Sequence, residues 1–88
     1  MNKKVFSERF NNELTVNDFP AELADKTKAI AKVFGVSRHF ANGMIFGDQL
    51  PSVEQLNKIA EVLDVCPQWL CGKAKKKKSF SHREVSDN

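Results

Sequence analysis

The stretch from Thr27 to Met44, TKAIAKVFGVSRHFANGM, limits the possible folds more than any other part of the chain. Ile30, Ala31 and Phe34 recur at helical spacing before Gly35 interrupts them, and Ser37 stands where a helix N-cap belongs. Gly35 predicts the left-handed position that ends one helix. A second helix is then expected to continue to about Phe46. Ala31 and Ala41 are small, as two helices that cross steeply at a short turn require. This is helix-turn-helix spacing. The second helix is expected to present Arg38, His39, Asn42 and Gly43 outward, the residue types of a base-reading helix.

Charge sharpens that expectation. The net charge of +3 is uneven: residues 1–72 hold eight basic and nine acidic residues, whereas residues 73–88 hold six and two. Within the nearly neutral part, residues 26–47 contain Lys26, Lys28, Lys32 and Arg38 and no acid. A basic patch on a neutral domain is the footprint of phosphate contact, although four such charges also suit a solvated surface. The Lys-rich run 73–78 reads as a disordered tail, which either adds sequence-independent affinity through counterion release or only aids solubility.

Eighty-eight residues, 41% of them hydrophobic and seven of them phenylalanine, suit one small globular domain with a modest core. No effector-sensing half is expected beside it. The opening residues carry charge too early for a signal peptide, and no apolar window approaches a bilayer span. A cytoplasmic protein with reduced cysteines is expected. Cys66 and Cys71, with only His39 and His82 as other soft ligands, make a poor zinc set, so no metal is expected.

Taken in order, Phe6, Phe10 and Leu14 fall four apart, predicting a helix over residues 5–14 that ends near Val16. Pro20 suits a turn or the first position of a short helix, for which Ala21–Ala24 offer a single turn. The next helix is expected from Asp25 or Lys26 to Phe34. Ser52 and Gln55 form a capping box before the stripe Val53, Leu56, Ile59, Ala60, Leu63. A last short helix over 66–71 starts at Pro67 and stops at Gly72. The sum is an all-α, five-helix domain over residues 1–72, with the tail 73–88 beyond it.

Three blocks then carry a resemblance: Ala29–Ser37, Leu50–Leu63 and Pro67–Leu70, preceded by the opening Phe6-Ser7-Glu8-Arg9-Phe10. In order and spacing they resemble the lambda-repressor/Cro-like helix-turn-helix family, in particular its small phage-type repressors. The resemblance covers about residues 5–72. It implies a five-helix domain that binds double-stranded DNA, usually as a homodimer, with its third helix in the major groove. It implies a phosphate contact for Thr27, base contacts for Arg38 and His39, further contacts at Asn42 and Gly43, and a loop contact at Gln49. It also raises a dimer contact at Trp69 and Leu70, which otherwise close the core. Two departures stand out: Ala41 replaces the commoner valine or isoleucine, and the Leu14–Thr27 connection is longer than in the shortest members.

Chemically, Arg38 can pair with O6 and N7 of guanine, and Asn42 with N6 and N7 of adenine. His39 can donate to a base or phosphate; the plainer alternatives are a phosphate contact or a free surface arginine at Arg38, an idle surface histidine at His39 and a solvated amide at Asn42. Lys28 and Lys32, with Thr27 and the N-cap Ser37, suit backbone contacts that set register without reading sequence. Gly43 lowers helix propensity by roughly 1 kcal/mol relative to alanine, which makes sense where something approaches the backbone closely. Phe40 and Phe46 are expected in the core, with a thymine methyl as the other possible partner. The leading expectation is a dimeric transcriptional repressor that occupies a palindromic operator. The rival is an antitoxin-like or adaptor domain that holds a protein partner. An enzyme is not expected, since no acid/base cluster, nucleotide loop, metal set or cofactor motif is present.

Overall fold

The computed structural model describes residues 1–75, which form five α-helices and, among these residues, no strand. They are α1 (Lys3–Val16), α2 (Leu23–Phe34), α3 (Arg38–Phe46), α4 (Val53–Leu63) and α5 (Pro67–Leu70). The all-α class and the count of five agree with the sequence. The tail expected over 73–88 lies, from residue 76 onward, outside the described residues, as does His82.

Each boundary has a local cause. The Asn2 side chain accepts from the N–H groups of Lys4 and Val5, so α1 begins two residues before the helix that the periodicity predicts. Ser37 accepts from Phe40 N–H and opens α3. Ser52 and Gln55 make both halves of the capping box, at 3.2 and 2.9 Å. Gly35 ends α2 with φ 69°, so the chain reverses into α3 within three residues.

The α1–α2 connection differs from expectation. No separate turn of helix forms at Ala21–Ala24. The Glu22 side chain accepts from Asp25 N–H at 3.1 Å, which makes Glu22 the N-cap and starts α2 at Leu23. The long connection is pinned by Phe19, whose ring stacks parallel to Phe34 with centroids 6.1 Å apart. Phe34 in turn meets Phe10 at 6.2 Å, and Phe10 stacks on Phe6 at 5.2 Å. This aromatic row runs from α1 across to α2 and forms one side of the core.

The rest of the core comes from Leu14, Ile30, Ala41, Met44, Ile45, Leu56, Ile59, Ala60, Leu63, Val65, Leu70 and Cys71. Thus the apolar stripes of α1 and α4 are those the periodicity marks, apart from Val53, which is exposed at the start of α4, while Ser7 and Glu13 of α1 are buried beside them. Helix α3 packs on both α1 and α2, and α5 packs on α4 and α1. The packed chain continues past Gly72: Lys73 and Ala74 N–H groups donate to Gln68 O, at 2.7 and 2.9 Å.

Arg9 closes the far side. Its guanidinium carbon lies 4.9 Å from the Trp69 ring centroid, and Nη1 donates to the carbonyls of Trp69 and Ala74. A residue that reads as a surface charge therefore clamps α1 to the end of α5. Cys71 is buried and Cys66 half-buried, and both thiols are free. No helix among the described residues is long and apolar enough to cross a membrane.

Candidate nucleic-acid interface

Helix α3 is held on its inner side by a polar anchor as well as by packing. Its last turn leaves carbonyls without helical partners. The Ile45 carbonyl is satisfied from α1, by Ser7 Oγ at 2.6 Å and Asn11 Nδ2 at 2.9 Å. Both donors are one turn apart on α1, so they reach the same oxygen. With Ala41 and Met44 fully buried and Ile45 nearly so, one face of α3 is committed to the interior.

What remains outward is set by the helical period. Arg38 and His39 are exposed, Asn42 is half-exposed, and Phe46 is 62% exposed. These residues share one face, since positions three, four and seven apart on a helix fall together. Phe46 therefore corrects the expectation of a core side chain: Met44 and Ile45 take the inward directions at that end, and residue 46 is carried out. Phe40 does pack against the core, half-buried.

The neighbouring helix supplies the rim. Lys28 and Lys32 are exposed on α2 and Lys26 half-exposed, while Ser37 is exposed at the α3 N-terminus. Leu23, Ala24, Thr27, Arg38 and Asn42 line an open cleft of about 340 Å³ where the first halves of α2 and α3 diverge. Lys58 has no signal in the sequence that marks it for this surface. Its amino group from α4 reaches the Gly35 turn, 3.8 Å from where a Cβ there would stand. Only the tertiary fold brings it to that turn.

Two candidate contacts need correction. Thr27 is 5% exposed, and its hydroxyl donates to Asn42 Oδ1 at 2.8 Å. Its side chain is therefore a tie between α2 and α3, with little of it exposed toward a phosphate. The same bond occupies the oxygen of Asn42 and leaves its NH2 group as the freer end.

Gly43 is buried, not outward. A Cβ there would lie 2.2 Å from Gln49 Cγ and 2.9 Å from Gln49 Cβ, so the glycine makes room for that side chain. Gln49 thus leaves the loop and lies across α3. The close approach expected at Gly43 exists, but another part of the same chain makes it.

Of the two roles open to Trp69 and Leu70, the structure gives them the first, closing the core. Leu70 is fully buried and Trp69 is 9% exposed beneath the Arg9 guanidinium, so both are spent within the protomer. Residues 38, 39, 42, 46 and 49 form a chemically mixed surface, flanked by lysines. It carries hydrogen-bond donors and acceptors and an apolar ring, with no acidic group between residues 26 and 47. No protein-family model, curated protein or solved structure matches the chain, so the site rests on its own geometry.

Proposed function

We propose that this protein is a sequence-specific DNA-binding transcriptional regulator of the lambda-repressor/Cro-like kind, acting in the cytoplasm as a repressor. The observation that carries the reading is the outer face of α3: Arg38, His39, Asn42 and Phe46 stand free of the core on a helix anchored from behind. Such a helix fits the major groove, whose width of about 12 Å admits it. Arg38 reads guanine, His39 donates to a base or phosphate, and Phe46 lies against a thymine methyl. Lys28 and Lys32 neutralise phosphates beside it.

A nine-residue helix reaches few base pairs. A single small module buries only about 600–1,000 Å² on DNA, and a two-fold dimer doubles this. We therefore assign the working form as a homodimer on a palindromic site, its recognition helices about 34 Å apart. Repression follows from occupying the operator, and concentration sets its extent.

Selection of bound duplexes from a random pool tests the reading. An enriched palindrome with half-sites about one turn apart is the expected result. On that site, Lys28→Ala with Lys32→Ala reduces the slope of log affinity against log salt by about 0.9 for each phosphate that is no longer neutralised. No enrichment over the random pool refutes the function.

A further inference from the structure

The close approach of Gly43 and Gln49 has consequences for which base is read. The Gln49 N–H donates to Gly43 O at 3.1 Å, and the Asp48 N–H donates to the same oxygen at 2.8 Å. Backbone position 49 is thereby fixed against α3, and its Cβ falls 2.9 Å from where a Cβ at 43 would be. Rotating the Gln49 side chain cannot relieve that approach, because Cβ does not move with χ1. The Cβ is thus held over position 43, and the stem that leaves it crosses the helix there, its Cγ 2.2 Å from where a Cβ at 43 would be, beside Asn42 and one turn from His39 and Phe46.

Closing the α3–α4 connection would need only an aliphatic stem at this place. Gln49 instead ends in an amide that makes no hydrogen bond among the described residues. Asn42, the other amide of this face, has its oxygen engaged by Thr27. Adenine presents N7 as acceptor and N6–H2 as donor in the major groove, and an amide with both ends free matches the pair.

We infer that Gln49 is the adenine-reading residue of this surface, seated on α3 by the missing side chain of Gly43. This assignment rests on the DNA-binding reading above and moves the adenine contact from Asn42 to Gln49. Asn42, its oxygen held by Thr27, offers its NH2 to an acceptor.

The test is selection of bound duplexes with the full chain carrying Gln49→Met, Gly43→Ala or Asn42→Ala, each compared with the unaltered protein. Methionine keeps the stem that crosses α3 and removes the amide. The unaltered protein is expected to select adenine at one position of each half-site. Gln49→Met flattens that preference by about 5- to 150-fold, the span that one paired base contact commands, with the effect confined to that position. Gly43→Ala abolishes the same adenine preference by displacing the side chain. If Gly43→Ala does not fold, as judged by circular dichroism, Gln49→Met alone decides. Retention of the adenine by Gln49→Met, or its loss only in Asn42→Ala, overturns this inference and leaves the DNA-binding reading standing. A protein that selects no sequence overturns both.

Discussion

Replacing Arg9 by methionine isolates the clamp between α1 and α5. Methionine keeps much of the aliphatic stem and removes the guanidinium, which stacks 4.9 Å above the Trp69 ring centroid and donates to two carbonyls. A hydrogen bond from a charged donor contributes about 1.5–3 kcal/mol. A cation–π interaction at a partly exposed site adds about 0.5–1 kcal/mol. Arg9 is half-buried, so water can reach the freed carbonyls and the lower ends apply. Both bonds also leave from one nitrogen, which argues against simple doubling. The expected loss is about 3 kcal/mol, a large share of the roughly 5–15 kcal/mol that holds a domain together.

Urea unfolding followed by helical ellipticity measures that loss directly. Trp69 is the only tryptophan, so its emission gives a second, local reading. Its maximum is expected to shift to the red as the ring loses its cover, before any global unfolding. In a domain of this size each kcal/mol moves the thermal midpoint by about 4–8 °C, so a drop exceeding about 10 °C is anticipated. Since Arg9 lies away from the α3 face, the sequence selected from a DNA pool stays the same. A stability change below about 1 kcal/mol, with unchanged emission, refutes the clamp. It would return Arg9 to the class of surface charges.

Two further substitutions probe the α3 surface and its entry turn. Phe46→Ala removes a ring that is 62% exposed, so stability is expected to hold within about 0.5 kcal/mol. Specific DNA affinity falls several-fold as the ring no longer covers a thymine methyl; a large fall in the unfolding midpoint instead would place the ring in the core. Gly35→Ala forces a Cβ into φ 69°, where only the Lys58 amino group lies nearby, at 3.8 Å. Backbone strain alone then acts, about 1–2 kcal/mol by urea unfolding, and Gly35→Asn should lose less because asparagine tolerates this conformation.

Much of the architecture was legible because its causes are local. Phe6, Phe10 and Leu14 repeat on one face whatever lies opposite them, and all three are fully buried. The Ser52–Gln55 box and the Gly35 stop act within four residues, and both appear as expected. Glu22 was missed as a cap because glutamate is not among the usual N-cap residues. The exposed character of Phe46 follows from the helical period, whereas the core expectation rests only on phenylalanine being more often buried than exposed. Its neighbours Met44 and Ile45 occupy the inward directions first.

What the sequence alone determined is the helical inventory, the turn between α2 and α3, and a basic stretch free of acids. How distant residues come to share a surface depends on the crossing of the helices. Thr27 and Asn42 are 15 positions apart and meet through one hydroxyl. Ser7 reaches Ile45 across 38 positions, and Arg9 reaches Ala74 across 65. Gln49 occupies the space that Gly43 leaves open. Periodicity and capping depend on neighbours along the chain, whereas burial and hydrogen-bond partners depend on which helices cross. A glycine in a helix reads identically whether DNA or a glutamine side chain fills its place; the crossing and the loop that follows choose the glutamine.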